Sequence, residues 1–417
     1  MLKWSVRHET ALFLDSNDFK DPCGNFDALL AVGCADSIVL NDAKEAFDRL
    51  ERFRGSVNDW VFGYFSYDLK NGIEDLNSAN ADDLDFPELF FFRPIKLLIL
   101  NGDQLTQRYL VSAQDELETD FFILKNVESK KTKPSSGNDL EVQPRISKEK
   151  YIAGAKAMLA HIYRGNIYEA NFCQEFFAQG KIAPVSTFQK LNDISNAPFA
   201  AYLRNGAHHI LCTSPERFIC KKANKITSQP IKGTARRSKN PDEDRAIAEQ
   251  LAADPKERAE NIMITDLVRN DLSRIAEKGS VKVEALCEVH SYKQVHQMVS
   301  TVSARVKNGT SISEILNNTF PMGSMTGAPK IAAMQIIENL ESSKRGVYSG
   351  ALGYFTPDGD FDFNVIIRSI LYNAEREYVS FSVGSAITAK ADPEKEYEEC
   401  LLKAKAMRDV ISGLKFT

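Results

Sequence analysis

The sequence contains no apolar run long enough to cross a membrane. No apolar leader follows its first residues, Met1-Leu2-Lys3-Trp4-Ser5-Val6-Arg7-His8, so the expectation is a cytoplasmic protein. A basic excess is also missing. The formal charge of −5 gives no electrostatic footprint for nucleic acid or an anionic membrane, so any anionic ligand must be held by local groups. Cysteine is scarce and scattered: Cys23, Cys34, Cys173, Cys212, Cys220, Cys287 and Cys400 are odd in number and include no Cys-x-x-Cys pair. That excludes a disulfide framework and a structural zinc site, and leaves reduced thiols in or near the core. There is no Gly-x-Gly-x-x-Gly after a strand, no Gly-x-Ser-x-Gly elbow and no His-Glu-x-x-His. The loop Gly323-Ser324-Met325-Thr326-Gly327-Ala328-Pro329-Lys330 lacks the Gly-Lys-Ser/Thr ending of a phosphate loop. Dinucleotide redox chemistry, serine hydrolysis, zinc proteolysis and triphosphate hydrolysis therefore lose their support.

What is present is an ordinary globular composition, with 417 residues, 43% hydrophobic and 26% charged, enough for two or three domains. A charged, Pro/Ser/Gly-bearing seam over 126–147 divides an N-terminal region, 1–125, from a larger region, 148–417. In the first, apolar runs at 60–65 and 89–92 read as buried strands and 42–53 as an amphipathic helix. In the second, helices are expected over 148–164, 242–275 and 329–340, with a terminal helix opened by Asp392 and Pro393. Strands are expected over 168–179, 209–213, 218–228, 281–288, 295–306, 350–355, 362–371 and 378–383. Strand-rich blocks punctuated by long helices indicate an α+β fold.

Several groups in this frame can carry chemistry. Pro230-Ile231-Lys232-Gly233-Thr234 sets a lysine in a tight turn after a strand. Lys232 is either a surface charge beside a turn or, if burial favours its neutral form, a nucleophile. Glu257 and Glu260 share one helical face, as do Glu396 and Glu399; the two faces are either solvated or meet in an oxygen-rich site for Mg²⁺. Gly384-Ser385-Ala386 ends a strand and can turn amides toward an anion, and Lys403 lies one helical turn beyond Glu399. Arg368, in an apolar strand, is either an edge charge or a buried group that needs an anion.

Ordered blocks of the chain resemble the chorismate-utilising enzymes. They are Gly165-Asn166-Ile167-Tyr168-Glu169-Ala170-Asn171, Ser214-Pro215-Glu216-Arg217-Phe218, the 230–234 segment, Arg258-Ala259-Glu260 running into Asp266-Leu267-Val268-Arg269-Asn270-Asp271-Leu272, the 323–330 loop, Arg345-Gly346-Val347-Tyr348-Ser349-Gly350, and the acidic terminal helix. The resemblance is strong over 146–415 and weaker through Ala11-Leu12-Phe13-Leu14-Asp15-Ser16 and Asp59-Trp60-Val61-Phe62-Gly63-Tyr64. It implies an anthranilate synthase component I-like fold, two facing antiparallel β-sheets with helices outside, and an N-terminal region interwoven with the rest.

Within that family, the resemblance implies that a lysine at position 232 marks enzymes aminating chorismate at C4, for p-aminobenzoate and folate synthesis, because anthranilate-forming relatives usually carry alanine there. It further implies Mg²⁺ on Glu260 and Glu399, beside Glu257 and Glu396, and a ring carboxylate held by Gly384, Ser385, Ala386 and Lys403. Arg368 and Tyr348 would take the enolpyruvyl carboxylate. Glu216 would be the general acid, Lys232 the nucleophile at C2, and Gly233, Thr234 and Ser324 substrate contacts. Glu169 stands where the family commonly has glutamine, so its carboxylate is placed to accept a proton from ammonia or Lys232. Gln297 replaces a usual histidine, and Ala386 a common glycine. No Gly-x-Cys-x-Gly glutaminase elbow is present, so a glutamine amidotransferase partner or free ammonia is implied. Leu14-Asp15-Ser16 weakly resembles a tryptophan-binding segment, although such a tripeptide also forms ordinary turns. The alternatives are an anthranilate or isochorismate synthase on the same scaffold, or a binding subunit that has lost catalysis.

Overall fold

The structure is a computed structural model that describes residues 1–19, 24, 26–126, 139–293 and 295–413. Its strands are linked by hydrogen bonds into one extensive antiparallel network with helices packed on it, so the α+β expectation holds. The N-terminal strands are built into this network. Thr10–Asp15 pairs with Phe199–Asn205, and Val61–Phe65 pairs with Ala351–Phe355. Most of the seam, 127–138, lies outside the described residues.

Two hydrophobic clusters hold the architecture together. One gathers Phe62, Phe65, Phe91, Phe355 and Phe363. Phe65 and Phe363 approach to 5.0 Å between ring centroids with their planes tilted by 45°, away from the face-to-face stacking that the aromatic quadrupole disfavours. The other gathers Tyr151, Phe172, Phe381 and Cys400 beneath the helices Lys148–Tyr163 and Pro393–Ile411. Of the six described cysteines, five are buried and Cys34 is exposed, contrary to expectation. Cys23 lies outside the described residues.

The sequence expectations fail mainly at breaks. The helix expected over 242–275 is two, Pro241–Ala253 and Pro255–Ile275. Asp254 between them has an extended ψ of 117°, and its side chain accepts from the Lys256 and Glu257 amides. Proline lacks an amide donor and suits a helix start, so Pro255 separates the segments. The strand expected over 218–228 is a hairpin, Arg217–Lys222 and Lys225–Gln229, with Ala223 at φ 55°. The strand expected over 362–371 breaks into Phe361–Val365 and Ser369–Asn373, with Arg368 in the gap at φ 52°. The helix expected over 42–53 occupies Ala46–Val57.

Candidate active site

Lys232 lies in a strand, Ile231–Arg236, and not in the tight turn that its neighbours suggested. The strand pairs with Val295–Arg305, and its register shifts between Ile231 and Thr234. Gly233 makes that bulge, at φ 92°, a conformation that L side chains rarely adopt. A Cβ there would lie 3.1 Å from Glu257 Oε2 and 3.3 Å from Met298 Cβ. Gly233→Ala is therefore expected to lower stability by about 1–2 kcal/mol, measured by urea unfolding, and an unchanged midpoint would show that the bulge tolerates a side chain.

The bulge directs Lys232 inward. Its Nζ lies 2.9 Å from Glu169 Oε1, with the lysine side chain 12% exposed and the glutamate 1%. Burial alone would lower the Lys232 pKa, but the Glu169 and Glu260 carboxylates outweigh it, and the net shift is upward. The resting lysine is thus an ammonium, and burial does not by itself supply the neutral form that a nucleophile needs. Glu169 Oε2 is buried without a hydrogen-bond partner.

Glu216 is buried beside this pair, and desolvation pushes its carboxyl up to about 7 although Ser324 and Lys232 pull it down. A cavity of about 100 Å³ joins Glu216, Lys232, Gly233 and Thr234 to Tyr348, Arg368, Gly384 and Lys403. Arg368 reaches it from the break between two strands, so it is neither a plain edge charge nor a mid-strand residue. Burial lowers its pKa, partly offset by Tyr348 and Glu399. The cavity therefore sets a carboxyl poised near neutrality between three cationic side chains, a setting that suits an anionic substrate.

The two acidic helix faces do meet. Lys256 Nζ lies 3.9 Å from Glu260 on its own helix and 3.3 Å from Glu396 on the terminal helix. Glu260 is buried, its Oε1 has no hydrogen-bond partner, and desolvation pushes its carboxyl up to about 7. Burial also raises Glu257, helped by the nearby Glu399 carboxylate. Burial likewise pushes Glu399 upward, but the Lys403 ammonium at 2.6 Å more than offsets this and holds it below its ordinary value. A buried, under-compensated Glu260 facing Glu399, which is 42% exposed and paired with Lys403, fits a hard divalent cation that takes one or two carboxylates. Among the described residues, no three acidic, histidine or cysteine side chains are already gathered into a metal cluster.

Gly384-Ser385-Ala386 requires a correction, because it lies inside the strand Tyr378–Thr388 and not at its end, paired with Cys173, Phe172 and Asn171. The Gly384 carbonyl accepts from Lys403 Nζ at 2.9 Å, and the Ser385 hydroxyl is bonded to Glu396. Ala386 has no positive φ, so the backbone there does not call for glycine. Ser385, Ala386, Glu169 and Ser324 do not line the 100 Å³ cavity, whereas Gln297, Asn171 and Met325, which carried no assigned role, do. His296, beside Gln297, is turned to Ser291 and Asp244.

Behind the cavity, a buried pair holds two of its lining residues, Met325 and Asn171. Arg345 Nε and Nη2 donate to Glu341 at 2.9 and 2.7 Å, and the guanidinium also donates to the Met325 and Asn171 carbonyls at 2.6 and 2.8 Å. Glu341 in turn accepts from the Cys173 amide at 2.8 Å. Glu341 and Arg345 lie just beyond the end of the helix Lys330–Leu340, where no periodic pattern singles out a charged pair. A larger cavity, about 600 Å³, lies elsewhere and takes in Leu14, Asp15, Ser16 and Arg217.

A family model described as chorismate binding enzyme matches residues 16–409. A probable chloroplastic aminodeoxychorismate synthase of Oryza sativa subsp. japonica is 36% identical over 391 residues, covering 84% of this chain and 43% of that protein. Anthranilate synthase component 1 of Aquifex aeolicus is 32% identical over 381 residues, covering 87% of this chain and 76% of that protein. The chain thus spans less than half the length of the rice relative. In three dimensions, it is similar to anthranilate synthase component I from Streptococcus pneumoniae, with a TM-score of 0.81 at 24% identity, covering 94% of this chain and 93% of that one.

Proposed function

The chain belongs to the chorismate binding enzymes, and within that family we propose that it aminates chorismate at C4 with ammonia to give 4-amino-4-deoxychorismate. One observation carries the choice: Lys232 projects into the cavity, paired with Glu169 at 2.9 Å and beside the buried Glu216. That arrangement supports covalent catalysis by an amine, which divides one difficult substitution into two easier ones.

In this reading, Arg368 and Tyr348 bind the enolpyruvyl carboxylate and Lys403 the ring carboxylate. Glu260 and Glu399, supported by Glu257 and Glu396, would hold Mg²⁺, which supplies charge neutralisation and a ligand position for a substrate carboxylate. Glu169 takes a proton from the Lys232 ammonium. The freed amine forms a bond to C2, the ring double bond shifts, and the C4–O bond breaks as Glu216 gives its proton to the departing hydroxyl, releasing water. Ammonia then bonds to C4, the C2–N bond breaks and the double bond returns. Glu216 recovers a proton from the new ammonium, and Glu169 returns its own to Lys232. A hydroxyl leaves poorly unless protonated, and a carboxyl titrating near 7 is suited to that task.

Ammonia would come from a glutamine amidotransferase partner, and tryptophan is the ligand to try in the cavity at Leu14–Ser16. The Aquifex relative favours a second reading, anthranilate formation. Purified chain given chorismate, Mg²⁺ and an ammonium salt should form the 4-amino product with its enolpyruvyl group retained. Stoichiometric release of pyruvate with anthranilate would replace the proposal with the second reading.

A further inference from the structure

The acidic crossing already contains a cation. Lys256, the second residue of the Pro255–Ile275 helix, places Nζ 3.3 Å from Glu396 and 3.9 Å from Glu260. The amination chemistry gives it no task, and it does not line the substrate cavity. Its two partners are constrained in different ways. Glu396 is also bonded to the Ser385 hydroxyl, whereas Glu260 Oε1 is buried and has no hydrogen bond. Two buried carboxylates on facing helices repel one another unless a cation lies between them, and Lys256 answers that need only partly, because it stands 3.9 Å from Glu260.

We propose that Lys256 is the internal counter-ion of the magnesium-binding carboxylates, holding the two helices together when the metal is absent and competing with it for Glu260. The inference rests on the reading of Glu260 and Glu399 as Mg²⁺ ligands. A divalent ion entering at Glu260 displaces the ammonium, which keeps Glu396 as its partner and has solvent on its other side, its side chain being 40% exposed. Lys403 stands in the same relation to Glu399, at 2.6 Å. Metal entry therefore also frees a second lysine for the substrate carboxylate. The metal and the anionic substrate each take one half of an ion pair that the resting site keeps closed.

Calorimetric titration of Mg²⁺ into the full chain without chorismate tests this. It is run at mildly alkaline pH, well above the ordinary carboxylate range. Lys256→Gln should bind Mg²⁺ about three- to tenfold more tightly than the unaltered chain, the range expected for losing one partly exposed competing charge. Its metal-free Tm should fall and then recover as Mg²⁺ is added. Lys256→Arg should behave as the unaltered chain does. Lys405→Gln, an equal charge change at an exposed position on the terminal helix, should leave affinity unchanged. Lys256→Met serves as a second neutral variant if the glutamine one folds poorly. Equal or weaker Mg²⁺ binding in the neutral variants, while Glu260→Gln still abolishes it, would overturn the role of Lys256 alone. Mg²⁺ binding that Glu260→Gln leaves intact would overturn the metal reading and this inference with it.

Discussion

Lys232→Ala is expected to slow chorismate amination by on the order of a thousandfold or more, the scale of losing a nucleophile, and to lower the Tm as well. The second effect follows from Glu169, which is 1% exposed and has Lys232 as its ion-pair partner. Removing the cation leaves a buried charge, at a cost of about 3–5 kcal/mol. The pKa shift has the matching sign. The folded-state value of Lys232 is raised, so its stabilisation is fully present below the unfolded lysine value, including at neutral pH, and is lost only as pH rises through the higher folded value. Lys232→Ala combined with Glu169→Gln should recover the Tm without recovering the rate. Full turnover in the single variant would mean that another group attacks the ring.

Glu216→Gln should reduce kcat by about 10²–10⁴-fold, the range for a lost general acid, with little effect on packing because the amide has the same shape. In the unaltered enzyme, activity should fall as pH rises through about 7, where the Glu216 carboxyl loses its proton. The variant should lack that limb in its residual rate. Glu260 titrates in the same range, but ionising a Mg²⁺ ligand would raise activity, so a falling limb that survives in Glu216→Gln would contradict the assignment of Glu216 as the acid. Stability should show the same proton. A carboxyl raised from 4.5 to about 7 by burial stabilises the fold fully below pH 4.5 and loses that contribution as pH rises through 7. Glu216→Gln should therefore melt above the unaltered chain at alkaline pH, with the difference closing toward pH 4.5.

The residues that the structure gathers around the cavity were legible because they sit in short ordered blocks, and the Asp392–Pro393 pair marked a helix start, although the same pair at Asp254 and Pro255 went unread inside 242–275. The local backbone at the site was not legible. The bulge at Gly233 and the positive φ of Arg368 depend on strand pairing with distant segments, and a periodic pattern reads such interruptions as continuous strand. The Ala28–Leu40 strand escaped notice for a related reason: its burial runs continuously to Val32 and then turns to exposed residues, so it alternates nowhere. The charge state of Lys232 was left open by the sequence, because the ammonium is held by Glu169, whose position 63 residues earlier becomes a contact only through the fold. In the proposed mechanism that pairing makes the glutamate, and not burial, the group that governs when the lysine can attack.

The most direct test is to mix the chain with chorismate and Mg²⁺ in the absence of ammonia, quench at short times and map the peptides by mass. The account predicts a transient adduct on the Lys232 peptide, equal in mass to chorismate less one water and discharged when ammonium is added. Consumption of chorismate upon ammonium addition with the Lys232 peptide unmodified at every quench time would contradict it.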